Sequence, residues 1–190
     1  MEKTNIFVIG GPTGCGETTI SNAIIAKLPQ FARLVAATTR APRNNEKNGV
    51  EYYYFSKEKF KQEIQNGNIP EYTYMENRDT YYGSYKPDLD KKLEEGFKII
   101  ANTDVVGAKY FKEAYGAVTI FIKPDSMDNL KKRLLKRQPD ISEDELQKRI
   151  VNAEDEIKNE EKFYEYIVIN EEGKLDEAIE KTAEIIKKYI

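Results

Sequence analysis

An apolar run over residues 5–9 (NIFVI) empties directly into GGPTGCGETT, residues 10–19, and no other feature restricts the fold as tightly. An unbroken apolar run closed by Gly-Gly-Pro has the form of a strand buried on both faces. Past the glycines, Ile20, Ala23, Ile24 and Leu28 recur at helical spacing until Pro29 stops the pattern. A strand that turns through glycines into a helix aims backbone N–H groups from the positive end of that helix, where they can face an anion. The turn nearly satisfies the phosphate-loop pattern G-x-x-x-x-G-K-[ST]. Gly11, Gly16 and Thr18 stand where it needs them, but Glu17 stands in the place of its lysine. A carboxylate in a first helical turn equally suits a plain β-to-α turn with no ligand, so the loop alone leaves both readings open.

The rest of the chain repeats the strand–helix alternation. Residues 33–39 (RLVAATT), 98–102 (KIIAN), 117–122 (AVTIFI) and 166–169 read as further strands. Helices are expected over 86–95, between 102 and 117, over 126–137, from the capping box Ser142–Glu145 to about residue 164, and over 175–189. Residues 40–87 break the alternation. They are charged, rich in Tyr and Asn, and punctuated by Pro42, Asn48–Gly49, Gly67 and Pro70, which marks an inserted lobe with short strands and a helix near 57–65. Alternating strands and helices predict an α/β fold with a parallel sheet.

At 190 residues the chain suits one domain carrying small inserted lobes. Its net charge of −3 gives no basic imbalance, which argues against nucleic acid and makes any anion site local. Cys15 is the only cysteine, so no internal disulfide forms and a reducing, cytoplasmic setting fits. The chain has no histidine, which removes His-based triads and His-ligated metals. No signal-peptide core and no membrane-length apolar stretch occurs, so a soluble protein is expected.

Three further clusters carry chemistry only in combination. Arg40 and Arg43 follow a strand and precede the tyrosine-rich GVEYYYF; arginine suits bidentate phosphate contacts, although two arginines at a strand end are more often solvated. Glu71 lies upstream of Tyr81–Tyr82–Gly83–Ser84, a carboxylate and hydroxyls able to meet a purine edge, or an ordinary turn. Arg133, Arg137 and Arg149 lie on charged helices, where surface pairing is the plain alternative to closing over a transferring phosphoryl group.

In order and spacing these pieces resemble the guanylate kinase family over nearly the whole chain. GPTGCGET is similar to its phosphate loop, TTRAPR followed by NGVEYYYF to its T-T-R-x-P-R … G-x-D-Y-x-F signature, and PEY…YYGS to its acceptor lobe. The acceptor-lobe match carries about two extra residues between Glu71 and Tyr81. LKKRLLKR, ELQKRI and VIN complete the match. The resemblance implies a parallel-sheet P-loop kinase core (about 1–36 and 88–190), an acceptor-binding lobe (about 37–87) and a short lid (about 133–150). It implies ATP on Gly11, Pro12, Thr13, Gly14, Cys15, Gly16, Glu17, Thr18 and Thr19. GMP or dGMP is implied on Thr38, Arg40, Arg43, Tyr52, Glu71, Tyr82, Ser84 and Asp104. Of these, Arg40, Arg43, Tyr52 and Tyr82 would hold the acceptor phosphate, and Glu71 and Asp104 would read the guanine edge. Arg40, Arg137 and Arg149 would stabilise the transferred group, and Mg²⁺ would accompany ATP near Thr18 and Asn102. Monomer and homo-oligomer both remain open.

Three departures concern chemistry: Glu17 for Lys, Ala36 where the family has a Ser near guanine O6, and Asn102 where it has Asp. The acceptor residues are kept and the donor side is altered. The expected function is phosphoryl transfer from ATP to GMP, impaired by Glu17. Two alternatives accompany it: a guanylate kinase-like module that binds GMP or protein without turnover, and a nucleoside monophosphate kinase of altered base choice, motivated by Ala36.

Overall fold

The computed structural model describes residues 3–43 and 45–190. In chain order the elements are β1 (Ile6–Gly10), α1 (Glu17–Lys27), β2 (Phe31–Arg33), β3 (Ala37–Thr38), β4 (Tyr53–Tyr54), α2 (Lys57–Gln65), β5 (Tyr72–Met75) and β6 (Thr80–Gly83). There follow α3 (Lys86–Glu94), β7 (Lys98–Ala101), α4 (Val105–Tyr115), β8 (Val118–Pro124), α5 (Met127–Arg137), α6 (Glu143–Asn159), β9 (Tyr166–Asn170) and α7 (Leu175–Lys187).

β1 is the middle strand of a five-stranded sheet of order β2–β7–β1–β8–β9. Every pairing is parallel, with Ile6 opposite Ile99 and Phe7 opposite Val118. Successive β1 side chains point to opposite faces. Phe7 and Ile9 join Ile20 and Ile24 of α1 and Ile179 and Ile186 of α7. Ile6 and Val8 join Leu89 of α3 and Ala108 and Phe111 of α4. Both faces are covered, which explains why the strand reads as a continuous apolar run rather than an alternating one. The sheet fixes the loop after β1 at its carboxyl end, between β7 and β8, where α/β folds open their binding crevice.

The lobe is a separate four-stranded sheet of order β4–β3–β6–β5, mixed in direction, with Phe60 of α2 and Ile69 packed beneath Ala37. The stretch 33–39, expected as one strand, is two. Leu34 N–H still donates to Ile100 at 2.9 Å, but Val35 N–H donates to the buried Asp88 carboxylate at 2.9 Å. That side chain takes the amide a continuing strand would give to its neighbour, and β3 leaves for the lobe sheet. Asp88 also accepts from the Tyr53 hydroxyl at 3.1 Å and the Lys92 ammonium at 2.6 Å. One carboxylate thus ties the core helix α3 to both ends of the switch.

One other boundary and one cap differ from expectation. α6 stops at Asn159, and a 3-10 turn at Glu161–Phe163 swings Tyr164 inward against Phe121, ring centroids 5.0 Å apart. Ser142 does cap α6 by accepting from Glu145 N–H at 3.3 Å. The Glu145 carboxylate, however, pairs with Arg149 and Arg78 instead of closing the box, since charge-assisted bonds are the stronger kind. Among the described residues, no helix is long and apolar enough to cross a membrane.

Asp88→Ala leaves the half-buried Lys92 ammonium with only the Arg33 carbonyl, and a hydroxyl and a buried backbone amide without their acceptor. Urea unfolding is expected to show a loss of about 3–5 kcal/mol, with Asp88→Asn losing less because it keeps one acceptor oxygen.

Candidate active site

The loop between β1 and α1 is held by its backbone. Gly11 has φ 148°, and a Cβ there would lie 2.1 Å from the Ile122 carbonyl oxygen, so only glycine fits against β8. Gly16, at φ 99°, forms the N-cap of α1 and would collide with the Asn170 amide in the same way. Two asparagine amides clamp the turn. Asn170 donates to the Cys15 carbonyl at 2.7 Å, and Asn102 donates to the Ile9 carbonyl at 3.0 Å and the Ser21 hydroxyl at 2.9 Å. Cys15 is fully buried, and burial followed by the charge of Glu17 pushes its thiol well above the ordinary value, so it packs rather than reacts.

A cavity of about 480 Å³ opens over this turn. Gly11, Thr13, Glu17 and Thr18 line it from the loop. Ala36, Tyr52, Glu71, Thr73, Tyr82 and Ser84 line it from the lobe, and Asn102, Asp104, Glu156, Glu160 and Tyr164 from the core. Glu71 is buried and accepts from the Ser84 N–H at 3.1 Å; burial raises its pKa against the lowering pull of Ser84. Asp104 is the N-cap of α4, its Oδ1 accepting from Val106 N–H at 3.0 Å and Gly107 N–H at 3.2 Å. Its Oδ2 accepts from the Thr73 hydroxyl at 2.6 Å, a bond between core and lobe. The two expected purine-reading carboxylates therefore share one cavity with the loop.

The expected phosphate-holding residues divide into two groups. The Arg40 guanidinium grips Glu46 through both terminal nitrogens, at 2.9 and 3.1 Å, and lies over the rings of Tyr52 and Tyr54 at 5.5 and 5.7 Å. Tyr82 meets Tyr52 edge-on at 5.9 Å. Glu46 also accepts from Arg43 N–H at 2.7 Å and the Tyr54 hydroxyl at 2.8 Å, and the Arg40 guanidinium first, with these two, holds its carboxyl down at about 2. Glu46 thus keeps Arg40 charged and oriented. The Arg43 side chain instead faces a second cavity of about 540 Å³, with Thr13, Arg78, Arg137, Arg149 and Glu156. Arg149 is steadied by Glu145 at 3.0 Å. Thr38 is fully buried and lines neither cavity; its hydroxyl donates to the Tyr81 carbonyl at 2.8 Å and accepts from Arg40 N–H at 3.2 Å, fixing the turn that carries Arg40.

Sequence reasoning missed Glu46, Arg78, Thr73 and the pair Glu156 and Glu160. Glu156 was findable, since it lies seven residues after Arg149 on one helix and so on the same face. Thr73 and Arg78 carry no such signal, because only the folded lobe brings them to the cavity.

Glu17 is half-buried in the first turn of α1 and accepts no hydrogen bond from the loop N–H groups. Burial pushes its carboxyl up to about 8, and the nearby Glu156 adds to the rise while Arg137 opposes it. Glu156 itself is pushed up to about 7, by burial first and then by Glu160 and Asp104. The favourable helix-terminus field, worth about 0.3–1 kcal/mol for a surface carboxylate, loses to desolvation here. The folded state holds protons on both groups that the unfolded chain releases near 4.5. Their contribution is therefore fully present below about pH 4.5 and is lost as pH rises through about 7 and 8.

Among the described residues, no three His, Cys, Asp or Glu side chains converge to cage a metal ion. The Asn102 Oδ1 is buried with no hydrogen-bond partner, and Thr18 offers an exposed hydroxyl in the same cavity. Two hard oxygen donors without a cage fit Mg²⁺, which keeps waters and substrate phosphates around it.

Glu17→Gln removes one of the two titrations. At pH 8.5 the variant is expected to melt above the parent, by about 2–4 °C for each kcal/mol recovered, and at pH 5 the two curves should coincide. Differential scanning calorimetry across that range checks the sign.

A guanylate kinase family model matches residues 3–189. A guanylate kinase of Bacteroides fragilis is 36% identical over 143 residues, which cover 74% of this chain and 70% of that protein. One of Clostridium perfringens is 38% identical over 182 residues, covering 95% of this chain and 82% of its own length. The crystal structure of guanylate kinase from Anaplasma phagocytophilum superposes with a TM-score of 0.74 at 25% identity, covering 98% of this chain and 87% of that one. With the loop, the lobe and the carboxylates Glu71 and Asp104 gathered on one cavity, and with relatives alike over nearly its full length, this chain belongs to the guanylate kinase family.

Proposed function

We propose that this chain transfers the γ-phosphoryl group of ATP to GMP, or to dGMP, giving ADP and the nucleoside diphosphate, in the cytoplasm. The observation that carries the reading is the shared cavity, with a phosphate-loop backbone on one wall and Glu71, Ser84 and Asp104 on the other. An oxygen of the acceptor phosphate attacks the γ-phosphorus, the bridging P–O bond to the β-phosphate breaks, and ADP leaves with the bonding electrons. Such chemistry needs alignment and charge compensation more than covalent help, which suits a site rich in arginine in a chain without histidine.

Each side chain then has a task. The loop N–H groups at the start of α1 receive the donor phosphates. Glu71 and Asp104 accept from the N1–H and amino group of guanine, and Ser84 adds a hydroxyl. Arg40 exchanges the singly charged Glu46 for the more highly charged acceptor phosphate, backed by Tyr52 and Tyr82. Arg43, Arg137 and Arg149 face the second cavity, beside Thr13 of the loop, and balance charge on the moving group. Thr18 and Asn102 would hold Mg²⁺, which when bound supplies charge compensation at the donor phosphates. Ala36 offers no hydroxyl to guanine O6, so base discrimination falls on the two carboxylates.

Glu17 sets the rate. Opposite charges about 4 Å apart attract by roughly 4 kcal/mol at an effective dielectric near 20, and a carboxylate reverses the sign. Its neighbour Arg137 and its raised pKa both soften that penalty. In a coupled ADP-release assay with ATP, Mg²⁺ and GMP, the parent is expected to turn over below about 1 per second, the low end for kinases. Glu17→Lys should raise kcat by about 100-fold or more, at tenfold per 1.4 kcal/mol. Silence in both, with GMP still bound, would instead make the chain a GMP-binding module. Glu71→Ala is expected to lower kcat/KM for GMP by about 10- to 150-fold, the worth of a hydrogen bond to a charged group, while leaving ATP affinity unchanged.

A further inference from the structure

The second cavity gathers four arginines around Thr13 of the loop: Arg43, Arg78, Arg137 and Arg149. Three of them belong to the site already described. Arg78 does not. It closes the 3-10 turn Glu76–Arg78 between β5 and β6, in the stretch that carries about two residues more than the family pattern. It also lines the first cavity, together with Glu17, Thr18, Glu71 and Tyr82. Of the four arginines it alone borders both cavities.

Its restraints are weak. Among the described residues its one ion pair is with Glu145, at 3.3 Å, between side chains 45% and 37% exposed. Exposed pairs of that kind contribute about 0–1 kcal/mol. Glu145 has a closer partner in Arg149, at 3.0 Å, so Arg78 can leave without stranding a charge. The following residue, Asp79, takes a left-handed backbone at φ 48° and bonds Lys57 and Tyr74, which anchors the base of the turn and leaves the Arg78 side chain held by the exposed Glu145 pair.

We propose that Arg78 supplies, from the acceptor lobe, the positive charge on the transferring phosphoryl group that position 17 no longer supplies from the loop. The cation has moved from one wall of the cavity to the other. Arginine suits the new place because its planar fork can bridge oxygens of two phosphates, which a lysine ammonium cannot do with the same geometry. Bordering both cavities, it can meet donor and acceptor together, a contact made most fully in the transition state, where binding accelerates the reaction. This inference rests on the guanylate kinase reading above.

The test is a double-mutant cycle with Arg78→Ala and Glu17→Lys. Two readouts are taken: kcat/KM in the coupled assay, and calorimetric affinity for GMP and for an adenosine–guanosine pentaphosphate that spans both sites. In the parent background Arg78→Ala is expected to lower kcat/KM by about 100-fold, the usual cost of one charge-stabilising donor, and to weaken the spanning ligand by at least about tenfold with GMP affinity unchanged. In the Glu17→Lys background the same change should cost less than about tenfold, because the loop cation has returned. Equal losses in both backgrounds would make Arg78 a support for the lobe and overturn the proposal. An Arg78→Ala chain within about threefold of the parent in both readouts would overturn it as well. If the parent binds GMP without turnover, affinity for the spanning ligand decides alone. If the parent and Glu17→Lys bind neither ligand, the guanylate kinase reading falls and this inference falls with it.

Discussion

The clamp on the loop backbone is the constraint on which the rest of the site depends. Asn102 joins the end of β1 to α1, and Asn170 holds the Cys15 carbonyl from the far edge strand of the sheet. Asn170 acts through main chain and Asn102 through main chain and the Ser21 hydroxyl, and neither hydrogen-bonds the side chain at position 17. The nest of N–H groups is therefore built whether lysine or glutamate follows Gly16, and the glycines at 11 and 16 are needed for close approach rather than for charge. A chain can lose the loop cation and keep the loop.

The charges around that loop are organised by competition. On the lobe side, Glu46 occupies Arg40 with two short bonds and is itself held by a backbone amide and a tyrosine hydroxyl. It serves as an internal anion that holds the Arg40 guanidinium in place. On the core side, Glu17, Glu156, Glu160 and Asp104 crowd one wall, and burial with mutual repulsion raises the first three. The four arginines of the neighbouring cavity face this acidic wall from the lobe and from α5 and α6. A substrate carrying several phosphate charges would relieve the arginine side, while protons relieve the carboxylate side, so ligand binding and pH act on the same electrostatic field.

Much of the fold was legible because the signals were local. The apolar run before the glycines, the helix ending at Pro29 and the Ser142 cap depend on residues within one or two turns of each other. The break in the strand at residues 34–36 was not legible, because its cause is Asp88, 53 residues downstream of Val35. Tyr52, Glu71, Tyr82, Ser84 and Asp104 line the first cavity and Arg43 the second, while Arg40 and Thr38 line neither. Those outcomes turn on which way a side chain leaves a short strand, and spacing along the chain does not fix that.

The sequence by itself determined the parallel core, the glycine turn and the family, since periodicity, glycine geometry and ordered motifs are properties of neighbouring residues. Tertiary structure alone decided the company that residue 17 keeps. Helix-terminus physics predicts a comfortable carboxylate there, yet the fold strips much of its water and brings Glu156 from α6 beside it, against the opposing pull of Arg137 from α5, so it holds a proton well above the ordinary range. It alone also decided that Arg78, in an unremarked turn of the lobe, shares a cavity with the phosphate loop. Desolvation and through-space charge depend on what packs against a group, and that is settled only when distant segments meet.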